Sequence, residues 1–186
     1  MSTPQSEHRH HSEIHVVINP RAGLLNPGAS PERAEGVLRR LVPDAEFVRT
    51  ESEDHAAAVL RHAAAGGSRR VILIGGDGTL HHAAELLCGS GVELALIPLG
   101  SANNLAKCLN IPTGMREAAE LALTARARPV DAGRCNGALF LEAAGAGFHA
   151  DALARYGLRD TKSLVRSVYS IARTLAEAEP FEIDVV

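Results

Sequence analysis

Residues 75–79, Gly-Gly-Asp-Gly-Thr, combine residue types that suit a phosphate site. They follow an apolar run and precede a helical pattern, so we expect a strand, a tight turn and a helix that begins near Thr79. Glycines let a ligand approach closely, and the amides at a helix start attract anions. Asp77 would repel a bare phosphate, so we expect it to act through Mg²⁺ or ordered water, to accept a hydroxyl proton, or to bind backbone amides. The alternative interpretation of this segment is an ordinary tight turn followed by a helix cap, which binds no ligand.

A second loop with polar character follows the next apolar run, at residues 97–107 (IPLGSANNLAK). Gly100 permits a tight turn, and Ser101 offers a hydroxyl group and an amide at the start of a short helix. Asn103 and Asn104 add polar contacts without charge. An ordinary capped turn between a strand and a helix remains the alternative here too.

Two earlier loops place polar residues at the ends of predicted strands. Asn19 ends the strand in INPRAG, and Arg21 can supply the positive charge that residues 75–79 lack. Thr50 ends the following strand, where its hydroxyl group can reach a ribose or phosphate oxygen. We therefore expect loops from several strands to contribute to one ligand site.

The histidines and cysteines do not indicate a protein metal site. His81 and His82 point about 100° apart on a helix. Glu85 lies near both on the helix surface, but a local polar contact explains it, so we expect solvated histidines rather than metal ligands. Cys88, Cys108 and Cys135 are odd in number and far apart, as expected for reduced thiols in a cytoplasmic protein.

The composition is that of an ordinary globular protein. The chain has 186 residues, 46% of them hydrophobic, and a net charge of −3 with both signs interspersed, so no basic stripe predicts nucleic-acid binding. The polar start of the chain lacks the apolar core of a signal peptide, and no apolar run approaches the length of a transmembrane helix. The polar residues 1–13 are predicted to form a disordered tail.

Strands and helices alternate through the first two thirds of the chain. Apolar strands are predicted at 14–20, 45–50, 69–74 and 92–100, and helices at 30–42, 52–67 and from about 79 to 88. This alternation predicts a doubly wound α/β fold with a mostly parallel sheet and helices on both faces. Such sheets bind ligands at the carboxyl ends of their strands, where all the loops described above begin.

The pattern changes after a further helix near residues 114–127. Residues 128–148 predict an antiparallel ribbon that turns at Asn136-Gly137, followed by a helix at 160–179 and a strand from 180 to 186. We therefore divide the chain into an α/β nucleotide-binding domain at 14–127 and the start of a β-rich second domain at 128–186. An unpaired last strand would invite pairing or homodimer formation.

These motifs together resemble the diacylglycerol kinase catalytic domain family, which includes bacterial diacylglycerol and related lipid kinases, sphingosine kinases and ceramide kinases. INPRAG resembles the family's N-P-x-(S/A)-G, and GGDGTLHHAAELL, PLGSANNLAKCLNIP and the VD…F segment from 130 follow in the family's order. GGDG alone is shared with NAD kinases and phosphofructokinases. Its spacing to the later motifs favours the lipid kinase branch.

The resemblance implies an NAD kinase/diacylglycerol kinase-like fold of two domains with ATP and Mg²⁺ in the cleft between them. It implies transfer of the ATP γ-phosphate to a lipid hydroxyl, in phospholipid biosynthesis, by a cytoplasmic enzyme that visits the membrane surface. Asp77 would lie beside the γ-phosphate and Mg²⁺ as the catalytic residue. The implied nucleotide-contacting residues are Asn19, Thr50, Gly75, Gly76, Asp77, Gly78, Thr79 and Ser101, with His81 and His82 as neighbours.

The chain departs from the family pattern at several places. His81-His82 stands where Asn-Glu is common, and Ser101 replaces a threonine. The family's general base and further Mg²⁺ ligands belong to the second domain, so we expect residues 1–186 to form mainly the ATP-binding half and to be incomplete for catalysis. The alternatives are an NAD kinase-like enzyme that acts on a soluble dinucleotide, or a non-catalytic module that binds nucleotide or a partner chain.

Overall fold

This computed structural model describes residues 13–23, 28, 30–145, 147, 150 and 173. The chain divides into two compact units, Met1–Arg134 and Cys135–Val186. The boundary predicted between residues 127 and 128 lies a little earlier in the chain and stays a prediction. No helix among the described residues has the length and apolar character needed to span a membrane.

The first unit is built on a four-stranded sheet in which helices and strands alternate along the chain. The strand order is β2-β1-β3-β4, and every neighbouring pair is parallel. All four predicted strands are present, with end points that differ by at most two residues. The elements are β1 (Ile14–Ile18), α1 (Pro31–Leu41), β2 (Glu46–Arg49), α2 (Glu53–Ala65), β3 (Arg70–Gly75), α3 (Asp77–Leu87), β4 (Glu93–Pro98), α4 (Asn104–Cys108) and α5 (Met115–Thr124).

Helices cover both faces of this sheet, which confirms the doubly wound α/β prediction. Successive side chains of a strand point to opposite faces. On one face the central strands pack against α1 and α5, whereas α2 and α3 pack together on the other. The first face is filled by Val16, Ile18, Ile72 and Ile74 of the strands with Leu38, Ala118 and Ala122 of the helices.

One polar side chain is buried on the opposite face of the sheet from these residues, near the amino end of β1. His15 is only 2% exposed. Ser68 Oγ lies 2.7 Å from its Nδ1, and Glu46 Oε2 lies 3.0 Å from its Nε2. A polar atom of another residue therefore lies within 3.0 Å of each ring nitrogen.

A second buried polar residue, Arg70, begins β3. It is 4% exposed, and its Nε donates to Glu93 Oε2 of β4 at 2.7 Å. Its Nη1 donates to Ala122 O and Leu123 O, and its Nη2 donates to Ala125 O at 2.9 Å. The guanidinium thus supplies donors to the otherwise unpaired carbonyls at the end of α5 and joins that helix to two strands.

The first two helices begin at the predicted caps. Ser30 Oγ accepts from Arg33 N at 3.3 Å, and Ser52 Oγ accepts from His55 N at 3.1 Å. The Ser30 hydroxyl also donates to Glu32 Oε2 at 2.6 Å. This hydrogen bond, helped by the backbone amide of Glu32, holds the pKa of the Glu32 carboxyl below its ordinary value.

The lowered pKa of Glu32 gives a testable pH dependence. A carboxyl with a depressed pKa in the folded state stabilises the fold above its unfolded pKa, and this contribution is lost as the pH falls through the folded pKa. The window therefore lies below the ordinary value of 4.5. Ser30→Ala should raise the Glu32 pKa towards that value in an NMR titration, whereas Ser52→Ala, which removes the cap of α2, should leave it unchanged. An unaltered Glu32 pKa in Ser30→Ala would contradict the assignment.

The predicted ribbon at 128–148 is present as a short hairpin. Its strands are β5 (Gly133–Cys135) and β6 (Ala138–Phe140). Asn136 (φ 49°) and Gly137 (φ 85°) join them, as a type I′ turn requires. Residues 128–132 lie in no strand, so the ribbon is shorter than its alternating pattern suggested. Nearly all of the helix predicted at 160–179 and of the tail at 1–13, and the whole strand predicted at 180–186, lie outside the described residues.

Candidate functional site

The carboxyl ends of the four strands lie at one edge of the sheet, and each is followed by one of the predicted loops. Asn19 follows β1, Thr50 follows β2, residues 76–79 follow β3, and Ser101 lies beyond β4. In the order β2-β1-β3-β4 the winding reverses between β1 and β3. Sheets of this order hold their ligands in the crevice at that reversal, which here separates Asn19 from residues 76–79.

Hydrogen bonds from Asn19 connect the two sides of this crevice. Asn19 N donates to Ile74 O at 3.0 Å, and its side-chain Nδ2 donates to Thr79 Oγ1 at 3.0 Å. Its Oδ1 accepts from Arg21 N at 3.0 Å. Asn19 and Thr79, two of the predicted site residues, are therefore brought together although they lie far apart in the sequence.

The turn after β3 depends on a glycine beneath the Thr79 side chain. A Cβ atom on Gly75 would lie 2.6 Å from Thr79 Cβ and 2.7 Å from its Oγ1. Only a residue without a side chain fits at this point, because real carbon atoms do not approach so closely. Gly75 therefore allows Thr79 to fold back against the end of the strand.

Helix α3 begins at Asp77, two residues before the predicted start near Thr79. The helix begins earlier than predicted because Gly76 occupies the N-cap position with an extended backbone, without a side-chain cap. The N–H groups of Asp77, Gly78 and Thr79 find no acceptor among the described residues. Three free amides and a helix end carrying about half a positive charge make this turn suitable for an anion.

Asp77 places an acceptor next to these donors. Its side chain is half-buried, and its Oδ1 is buried without a hydrogen-bond partner among the described residues. Such an orphaned carboxylate oxygen fits a hydrated Mg²⁺, which binds through one or two carboxylates, water and phosphate oxygens. The described residues contain no cluster of three or more His, Cys, Asp or Glu side chains that would hold a metal by themselves.

The loops after β3 and β4 touch each other through two glycines. A Cβ on Gly76 would lie 2.9 Å from Gly100 Cα, and a Cβ on Gly100 would lie 2.9 Å from Gly76 Cα. Leu99 N donates to Gly75 O at 2.7 Å, which extends the pairing of β3 and β4 up to this contact. Ser101 follows it at the exposed surface.

Asn103 contributes more to this loop than its sequence position suggested. It is 6% exposed, has a left-handed backbone with φ 48°, and donates from Nδ2 to Gly100 O at 2.7 Å. Its Oδ1 is buried without a partner among the residues that the structure describes. An asparagine directly before a short helix was the available signal, since asparagine tolerates this backbone conformation.

Thr50 is buried and its side chain is engaged within the protein. Both its amide, at 2.9 Å, and its hydroxyl oxygen, at 3.1 Å, lie within hydrogen-bond distance of Ile18 O. Because Ile18 O can only accept, the Thr50 hydroxyl donates to it. Thr50 therefore holds the end of β2 beside the end of β1, and its hydroxyl can offer a ligand only its lone pairs.

Charged side chains are sparse around these loops. Among residues 19–23, 50–52, 75–79 and 98–103, Arg21 is the single basic residue, and it is exposed. His81 on α3 is exposed as predicted, but His82 is half-buried and its Nε2 has no partner among the described residues. The positive potential at the crevice therefore comes mainly from the amides of α3 rather than from side chains.

Comparison with known proteins agrees with this geometry. The family model of the diacylglycerol kinase catalytic domain matches residues 13–135. A probable lipid kinase YegS-like protein of Pseudomonas aeruginosa is 45% identical over 105 residues, which cover 54% of this chain and 34% of that protein. A diacylglycerol kinase of Mycobacterium tuberculosis is 30% identical over 139 residues, which cover 72% of this chain and 44% of that protein.

A solved structure shows the same fold. The crystal structure of a putative diacylglycerol kinase from Bacillus anthracis superposes with a TM-score of 0.61 and 26% identity, covering 70% of this chain and 48% of that one. The chain spans about a third to a half of the length of these relatives. The matched segment contains every loop of the crevice between β1 and β3, and the chain belongs to the diacylglycerol kinase catalytic domain family.

Proposed function

We propose that this chain is the ATP-binding part of a lipid kinase that transfers the γ-phosphate of ATP to a lipid hydroxyl group at the membrane surface. The observation that carries the proposal is that three amides at the start of α3 and Asp77 Oδ1 have no partner among the described residues, at the β1–β3 crevice of a family member. Phosphoryl transfer depends on positioning and charge neutralisation, and these residues supply both.

Each part of the crevice has a role in this proposal. The amides of Asp77, Gly78 and Thr79 bind phosphate oxygens, and the Gly76–Gly100 contact keeps the two loops closed around them. Mg²⁺, when bound, neutralises phosphate charge, and Asp77 is the described residue that would face it. Thr50 and Ser101 border the nucleotide. The general base and further metal ligands are expected from the second domain of the family.

Nucleotide binding is the direct test, because the chain spans less than half of its curated relatives. Calorimetric titration with ATP, with and without Mg²⁺, is expected to show binding that strengthens with the metal. NAD serves as the competing ligand. Preference for NAD would favour the NAD kinase-like alternative, and no binding of either nucleotide would contradict a nucleotide site formed by this chain.

Asp77→Asn tests the metal role separately. The substitution keeps the size of the side chain but removes its charge, so the affinity for Mg-ATP should fall by about tenfold or more while that for metal-free ATP changes by less than about twofold. Glu85→Gln is the matched control, since it makes the same charge change at an exposed position of α3. Equal losses for both forms of ATP would remove the metal role from Asp77.

Further parts of the proposal concern the whole protein. A peripheral, cytoplasmic enzyme that meets its lipid at the membrane surface follows from the lipid kinase function. Pairing or homodimer formation through residues 180–186 falls outside the described residues and stays a proposal. Light scattering of the protein with and without these residues tests it, because a change in mass is expected only when the strand mediates the association.

A further inference from the structure

The side-chain amide of Asn19 has a fixed orientation. An asparagine can be placed with its oxygen and nitrogen exchanged, but here the neighbours decide between the two. Arg21 N is a donor, so the atom that faces it at 3.0 Å must be the oxygen Oδ1. The nitrogen Nδ2 therefore faces Thr79 Oγ1 at 3.0 Å.

This orientation determines the polarity of the Thr79 hydroxyl group. A hydroxyl carries one hydrogen to donate and lone pairs to accept. Since Nδ2 of Asn19 can only donate, Thr79 Oγ1 accepts from it, and the Thr79 hydrogen must point elsewhere. No acceptor for that hydrogen is present among the described residues.

The hydroxyl also has little freedom to move away. The Thr79 side chain fills the space that a Cβ on Gly75 would need. Thr79 also lies in the first turn of α3, beside the amides of Asp77 and Gly78, which have no acceptor in the part of the chain that the structure describes. A donor held at this point adds to the positive end of the helix, and a phosphate oxygen is the acceptor that fits both.

We propose that Asn19 is a positioning residue: by donating to Thr79 Oγ1, it turns the Thr79 hydroxyl into a hydrogen-bond donor for an anion bound at the start of α3. Asn19 acts through Thr79, because one hydrogen of its Nδ2 is donated to Thr79 Oγ1 and its Oδ1 accepts from Arg21 N. The identity of the anion as a nucleotide phosphate rests on the proposed function. The polarity of the donor follows from the Asn19 and Thr79 geometry.

Asn19→Asp tests the polarity, because a carboxylate oxygen in place of Nδ2 would accept the Thr79 hydrogen and leave a lone pair facing the anion. The affinities for ATP and inorganic pyrophosphate are measured for this variant, alone and in the Thr79→Val background. We expect Asn19→Asp to lower both affinities by about thirtyfold when Thr79 is present. In the Thr79→Val background the affinities should fall by only about threefold, because charge repulsion alone remains. Thr79→Ser, which keeps the hydroxyl, should retain affinity within about threefold.

The outcomes separate the inference from the proposed function. Equal losses for Asn19→Asp in both backgrounds would mean that only charge acts, and the inference would fail while ATP binding stands. Binding of pyrophosphate with the expected difference, but no preference for ATP, would support the inference and not the proposed function. If the wild-type protein binds neither ligand, both are wrong.

A milder variant covers the case in which Asn19→Asp does not fold. Asn19→Ala frees the Thr79 hydroxyl without reversing it, so a loss of about threefold to fivefold is expected, and it should disappear in the Thr79→Val background. Thermal melting of every variant reports whether the fold is retained. An Asn19→Ala loss that persists in the Thr79→Val background would overturn the inference.

Discussion

Replacing Arg70 with methionine is expected to lower the free energy of unfolding of the α/β unit by about 3 kcal/mol, because a buried charge network loses its central donor. The substitution leaves the carbonyls of Ala122, Leu123 and Ala125 without the guanidinium that satisfies them. Each buried polar group left unsatisfied costs about 1–3 kcal/mol, partly recovered where water reaches the end of α5. Methionine keeps most of the side-chain volume, so the loss reports hydrogen bonding rather than a cavity.

The neighbouring arginine provides a matched control. Arg69 Nη1 contacts the same Glu93 oxygen at 3.0 Å, but the Arg69 side chain is 48% exposed. Arg69→Met should therefore cost less than about 1 kcal/mol. Chemical denaturation followed by circular dichroism gives both values from variants of one chain. Similar losses at the two positions would show that burial and the α5 carbonyls do not matter.

Gly100→Ala is expected to reduce ATP affinity by about tenfold or more and to lower the free energy of unfolding by about 1–3 kcal/mol. The added methyl group would lie 2.9 Å from Gly76 Cα and 2.7 Å from Asn103 Oδ1. A backbone atom cannot move aside as a flexible side chain does, so the loops after β3 and β4 must separate. Gly76→Ala makes the reciprocal collision and should act in the same direction.

Two other glycines separate this effect from a general effect of alanine. Gly36 lies in α1, where a Cβ would meet only the end of the Arg40 side chain at 3.9 Å, so Gly36→Ala should leave ATP affinity unchanged. A Cβ on Gly78 would meet nothing within 4 Å. Gly78→Ala should therefore leave the free energy of unfolding unchanged or raise it by up to about 1 kcal/mol. Its ATP affinity should fall only if the added methyl group collides with the bound nucleotide. Calorimetry gives the ATP affinity of each variant, and thermal melting gives its stability. An unchanged ATP affinity in Gly100→Ala would contradict the proposal that the Gly76–Gly100 contact holds the two loops together around the ligand.

The sheet and its helices were predictable because each element carries a local signal. The apolar run at 71–74 is buried in the centre of the sheet, the serines at 30 and 52 cap the helices that follow, and Asn136-Gly137 forms a turn. These signals lie within a few residues of one another in the sequence. The same holds for the position of the candidate site, since parallel strands bring their following loops to one edge.

The details of the site depended on contacts between distant residues. Nothing near Arg70 in the sequence indicated burial, because its acceptors lie 52–55 residues away on α5. The sequence did not indicate that the Thr50 hydroxyl donates to Ile18 O, or that one hydrogen of Asn19 Nδ2 is donated to Thr79 Oγ1. Local propensity does not determine such pairings, which are formed only when the chain is folded.

The buried histidine of β1 bears on how the sheet avoids misassembly. Val16 and Val17 are alike, so apolar packing alone hardly distinguishes the two faces of this strand. A shift of β1 by one residue from its His15–Glu46 and His15–Val71 pairing would exchange the faces of all its side chains. The imidazole would then enter the aliphatic layer beneath α1 and α5 without Ser68, at a cost of about 1–3 kcal/mol. His15 therefore disfavours the shifted register of β1, so that the native strand pairing is preferred during folding.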